Sequence, residues 1–189
     1  GTTQTGGVAG LNAASGTIGQ DPWDPNSISI TAQNGTTVSS TTQGGGVAGR
    51  NEGLIQNATN RAGSIQVVNQ YAGGIAGSNS GRIYGCMHAA SGNRVLYTGG
   101  GFAGGIVGCN EVRGELENVT MNGSVTAANG EAGGVTAHNY GSITMSRVYG
   151  SDIRGTSDAI GGITACNEAG AVISDANLFN MASFGGDVR

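Results

Sequence analysis

Gly73-Gly74-Ile75-Ala76-Gly77-Ser78-Asn79-Ser80-Gly81-Arg82-Ile83 decides the fold of this chain, because the pattern of its first seven residues recurs. That pattern is Gly-Gly, an aliphatic, a small residue, Gly or Ala, any residue, then Asn. Copies begin at Gly6, Gly45, Gly73, Gly104, Gly133 and Gly161, so their first glycines are 39, 28, 31, 29 and 28 residues apart. Repetition at such a period is the signature of a solenoid, in which each unit buries its apolar face only by stacking on the next. After the first five of these Asn residues comes a second short run, a glycine followed within two residues by an aliphatic: Ile18, Ile55, Ile83, Leu116 and Ile143. A third alternating run precedes the next Gly-Gly, carrying Ile65 and Val67, Val95 and Tyr97, Val125 and Ala127, then Ile153. Three strand-like runs per unit, separated by Gly and Asn turns and without helical periodicity, describe one coil of a three-sided solenoid.

The expected architecture is all-β: a right-handed parallel β-helix of about six coils forming one domain over residues 1–189. Crossovers between parallel strands are overwhelmingly right-handed, which favours that hand over the left-handed alternative. Alternation points Val8, Val47, Ile75, Ile106, Val135 and Ile163 inward as a core ladder. The fifth heptad position, Gly or Ala, shares that parity, as if two walls met closely there. Asn12, Asn51, Asn79, Asn110, Asn139 and Asn167 form a structural ladder. Asn tolerates the left-handed conformation of a sharp corner, and its amide can bond identical neighbours. A ligand-binding row is the functional alternative. The first unit carries a loop insertion near 20–42, with both prolines and the sole tryptophan. Proline cannot donate to a strand ladder. Trp23 is a candidate cap over the open core edge or a contact for a partner.

Composition agrees with this reading. Glycine supplies 38 residues, about three times its usual share, while the 37% hydrophobic residues recur in register. Collagen is excluded because the glycines do not fall at every third position. Charged residues are 11% of the chain, the net charge is -4, and no basic cluster offers itself to nucleic acid. No run is long and apolar enough for membrane insertion. The opening Gly1-Thr2-Thr3 reads as the start of a segment of something longer.

Written out, the motif resembles the GLUG repeat, Gly-Gly-Leu-Val-Gly-x-Asn-x-Gly-x-Ile, which Gly45 to Ile55 and Gly73 to Ile83 match almost position for position. The resemblance spans Gly6 to Val172 and departs at Ala137, Ala165 and the inserts after Asn12 and Asn110. It implies an extracellular or cell-surface bacterial protein, adhesin-like or the non-catalytic part of an immunoglobulin A peptidase. It brings no catalytic residues.

Residues suited to catalysis are few and dispersed. Carbohydrate-cleaving enzymes cluster their acids, whereas Asp152, Asp158 and Asp175 are scattered. Glu52, Glu111 and Glu168 each follow a ladder Asn, giving an acidic corner interrupted by Ser80 and Tyr140. His88 and His138 have no partner identifiable from spacing. Cys86, Cys109 and Cys166 lack zinc-type spacing, and Cys109 and Cys166 should lie two coils apart, too far for a disulfide. His138 shares their heptad position, which reads as tolerance of any side chain. An outward row of Ala9, Ala48, Ala76, Val107, Thr136 and Thr164 is too broken for a regular ice-binding array.

The expectation is a structural or adhesive scaffold with no catalysis, metal or cofactor, whose partner is a host surface protein or glycan. The alternatives are a subunit of an extracellular fibre of its own copies stacked end to end, and a carbohydrate-binding or carbohydrate-cleaving β-helix.

Overall fold

The computed structural model describes residues 3–21, 23, 30–32, 37–61, 64–89, 95–98, 101–156, 159–179 and 183–186. Among these every regular element is a strand, and the strands pair in parallel. The chain is a parallel β-solenoid.

The third unit shows how a coil is made. Tyr71–Gly73 lies in sheet 1, Ala76–Asn79 in sheet 2, Arg82–Tyr84 in sheet 3, and Met87–Ala89 and Val95–Thr98 in sheet 4. Sheets 1, 2 and 3 each stack six strands, one from every unit. In the fourth and fifth units the two sheet-4 runs fuse into the long strands Thr120–Ala127 and Arg147–Gly155. The three runs legible in the sequence are all present, but the heptapeptide is not a single strand. It folds in two at the second glycine and the aliphatic, and so contributes to sheets 1 and 2 together.

The two glycines permit this fold for different reasons. A Cβ on Gly45 would lie 2.0 Å from the Ala48 carbonyl oxygen, across the bend itself. A Cβ on Gly74 would lie 2.6 Å from the His88 ring, which belongs to sheet 4. The first glycine lets the chain double back; the second makes room for the opposite wall.

Register carries the core. Val47, Ile75, Ile106 and Val135 are fully buried, Ile163 is partly covered, and Val8 is 48% exposed. The inward ladder fails at Val8 because the first coil has no neighbour on its outer side among the described residues. Ile55, Ile83, Leu116 and Ile143 stack in sheet 3, also fully buried. In sheet 4, Leu96 is the residue aligned with Ile65 and Val125, one position away from the Val95 and Tyr97 pattern expected from alternation. Burying each fully enclosed aliphatic is worth about 1.5–3 kcal/mol before ordering entropy is subtracted.

Three further expectations change. Ala48, Ala76, Val107 and Thr136 do not face outward; all are fully buried, because folding the heptapeptide lays sheet 2 against sheet 1. The ladder asparagines are not the left-handed corner residues. Those are Asn57, Gly85, Asn118, Met145 and Asp175, at φ between 49° and 61°, each just after a sheet-3 strand. Within the segment read as an insertion, Thr31–Ala32 and Thr37–Ser40 pair in sheet 4, so these residues belong to the solenoid wall. Pro22, Pro25 and Asp158 lie outside the described residues. Trp23 is 90% exposed and covers no core edge.

Candidate functional site

Two columns of side chains carry polar chemistry. The first is the asparagine ladder. Each Asn Nδ2 donates to the Oδ1 of the next coil: Asn12 to Asn51 at 2.7 Å, then to Asn79 at 2.7 Å, Asn110 at 2.9 Å, Asn139 at 2.8 Å and Asn167 at 2.8 Å. Within the coil the same amides donate to backbone carbonyls, such as Asn110 to Gly114 at 3.0 Å. From Asn51 to Asn139 these groups have no solvent exposure. A buried amide with both ends partnered is saturated, so this row acts as a structural spine and offers nothing to a ligand.

The second column is heptad position six, in sheet 2: Leu11, Arg50, Ser78, Cys109, His138 and Cys166, aligned coil upon coil. Because the heptapeptide doubles back, each sheet-1 strand packs on the sheet-2 strand of its own unit. The first residue of that sheet-1 strand precedes position six by seven: Tyr71 for Ser78, Phe102 for Cys109 and Glu131 for His138. The residues after the ladder Asn, namely Glu52, Ser80, Glu111, Tyr140 and Glu168, form the adjoining corner. The acidic corner is not a bare stripe. Arg50 Nε contacts Glu52 at 2.9 Å and its Nη1 contacts Glu111 at 3.2 Å, two coils away.

At the fifth and sixth coils this column condenses into a cluster. His138 Nε2 is 2.6 Å from Glu131 Oε2, and its Nδ1 is 3.3 Å from Glu168 Oε1. The imidazole is held by the Phe102 ring at 4.4 Å, edge on, and by Tyr140 stacked at 5.9 Å. Cys166 joins from the sixth coil: one donor atom each from Glu131, His138 and Cys166 lies within 4.8 Å of the other two. Burial raises the Cys166 thiol pKa, and hydrogen bonding and charge from Glu131, then charge from Glu168, raise it further. The cluster's mixed carboxylate, imidazole and thiol donors can hold a cation.

Beside it, Tyr71, Ser80, Cys109, Glu111, Val112, Arg113 and Tyr140 line an open cleft of about 540 Å³. Cys86 and Cys109 are buried thiols, the pKa of each pushed up to about 12 by burial. All three cysteines are free, and His138 stands between Cys109 and Cys166 in the register. His88 is sealed in the core: Asn60 Nδ2 lies 3.1 Å from its Nδ1, while its Nε2 has no partner among the described residues.

Spacing alone hides the cluster. Glu131 and His138 meet through a bend that alternation does not reveal. His138 and Cys166 meet through the 28-residue repeat, and their shared heptad position is the signal for it. No protein-family model, curated protein or solved structure matches the chain.

Proposed function

We propose that this chain is a non-catalytic scaffold segment of an extracellular or surface-anchored bacterial protein, built from GLUG-type repeats, which holds adhesive contacts at a distance. The observation that carries this reading is the uninterrupted asparagine spine beside a fully buried aliphatic core. Such a rod is stiff because every inner coil is bonded to both neighbours through all four sheets. The acids support the same reading: the paired ones among the described residues lie against Arg50, Arg82, Arg154 or His138. Glu131 and Glu168 sit on opposite nitrogens of His138, so the ring fills the gap where a glycosidase keeps its sugar. Tyr71, Tyr140, Glu111 and Arg113 supply the ring faces and polar groups that contact a host glycan or protein.

Single-molecule pulling tests the scaffold role, and a glycan and host-protein binding screen tests the adhesive one. Stepwise, high-force unravelling and saturable binding weakened by Tyr140→Ala are the expected results. Cleavage of a carbohydrate by the purified chain would overturn the proposal.

A second reading is end-to-end assembly. Val8 and Leu11 in the first coil, and Val172, Leu178 and Phe179 in the sixth, are exposed apolar residues. Sheet edges of this kind pair with further strands when these are supplied. Sedimentation and electron microscopy over a concentration series distinguish the two, since dispersed rods at every concentration speak against a fibre.

A further inference from the structure

We propose that Glu131, His138 and Cys166 bind one zinc ion, with Glu168 orienting the histidine, and that the ion staples the sixth coil to the fifth.

The donor set is the first argument. A carboxylate oxygen, an imidazole nitrogen and a thiol sulfur converge from sheet 1 of the fifth coil, sheet 2 of the fifth coil and sheet 2 of the sixth. Mixed N, O and S donors suit a borderline-soft divalent ion, and zinc takes such ligands at about 2.0–2.3 Å in a tetrahedron. Ligand atoms around such an ion lie roughly 3.3–3.8 Å apart, by tetrahedral geometry from those bond lengths. The three atoms already lie within 4.8 Å of one another. His138 Nε2 and Glu131 Oε2, 2.6 Å apart, need to part by only about an ångström. Calcium and magnesium are poor fits, because they seek six or more oxygen ligands and have no use for sulfur.

Support around the donors is the second argument. A metal on Nε2 leaves the His138 proton on Nδ1, which the Glu168 Oε1 carboxylate faces at 3.3 Å beside the Tyr140 hydroxyl at 3.4 Å. A small shift of Glu168 completes the carboxylate-histidine-metal relay by which proteins fix the tautomer and ring direction of a ligand. Phe102 and Tyr140 hold the ring from two sides, and the His138 and Glu131 side chains are only 14% and 22% exposed. With three protein donors, the fourth position is left for water or for a ligand atom from a partner.

The location gives the ion its effect. Among the described residues the sixth coil lacks a neighbour on its outer side, and its Ile163 and Asn167 are less covered than their counterparts further in. Glu131 and His138 belong to the fifth coil and Cys166 and Glu168 to the sixth, so the ion links the two coils.

Untagged, reduced protein titrated with Zn²⁺ in a calorimeter at neutral pH tests the proposal, with Co²⁺ absorption reporting the ligand type. One equivalent of Zn²⁺ and a thiolate-to-cobalt charge-transfer band are expected. Cys166→Ser should abolish the band, and Glu168→Gln should weaken Zn²⁺ binding about 10–100-fold. Cys109→Ser, which leaves the cluster intact, should change neither. Circular dichroism of each variant without metal keeps a folding defect distinct from a lost ligand. No saturable uptake by the intact chain overturns the proposal. So does binding that survives Cys166→Ser combined with Glu131→Gln, or binding abolished by Cys109→Ser.

Discussion

His88→Met is the substitution that most directly probes how the core is built. His88 is enclosed in sheet 4, aligned with Asn60 on one side and Met121 on the other. Burial pushes its imidazole pKa down from 6.5 to about 4, so it is neutral in the folded rod at pH 7. The unfolded chain takes up this proton near pH 6.5 and the folded chain only near pH 4. Between those values the unfolded state binds more protons, so stability falls as the pH drops through that window. The difference corresponds to roughly 3 kcal/mol lost on going from pH 7 to pH 4. The buried Nε2, without a partner among the described residues, adds its own desolvation cost at every pH, of about 1–3 kcal/mol. Methionine fills the same row one coil on, so it brings a side chain the fold already accommodates there, and Asn60 keeps its bond to the Gly74 carbonyl at 2.6 Å. The variant should therefore be at least as stable as the parent at pH 7. Its stability should decline by about 3 kcal/mol less on acidification to pH 4. Urea denaturation followed by circular dichroism at half-unit pH steps reads both quantities. Stability curves that stay parallel between pH 7 and 4 would refute the reasoning, because carboxylates contribute equally to both proteins.

Three other outcomes follow from the ladders and corners. Ile106→Ala, in the middle of the core, should cost about 2–5 kcal/mol by denaturant melting, and a loss below about 1 kcal/mol would mean the core collapses around the gap. Asn110→Ala strands the Nδ2 of Asn79 and the Oδ1 of Asn139, at about 1–3 kcal/mol each. The same change at the exposed Asn167 should cost well under half as much, and equal effects would argue against the spine. Met145 holds φ at 50° and is 43% exposed. Met145→Asn, matching Asn57 and Asn118 at equivalent corners, should gain about 1 kcal/mol and raise the melting temperature by roughly 2–4 °C.

The fold is legible because the heptapeptide couples backbone need to position. Gly-Gly followed by an aliphatic is required wherever the chain doubles back over a core residue, so a correct period aligns Val47, Ile75, Ile106 and Val135 without further information. What alternation misreads is the bend itself. Ala76 and Thr136 point outward if the heptapeptide is one strand, and are buried once it is two. The asparagines stand out in the sequence, but not for a corner of their own. Their regular spacing reflects amide-to-amide bonding, while the left-handed corners fall on the dissimilar Asn57, Gly85, Asn118, Met145 and Asp175. The His138 cluster is less accessible, since Glu131 sits in a strand whose first position also takes Gln43, Tyr71 and Phe102. Only the doubled-back geometry shows that this variable residue faces the equally variable sixth position.

The amides of the spine all point one way, from Asn12 toward Asn167, so their dipoles add instead of cancelling. The stack thereby has a head that presents an acceptor and a tail that presents a donor. Any further coil, from the same polypeptide or another, is matched only when it arrives with the same sense. A column of six small side chains thus gives the rod a direction along its own axis.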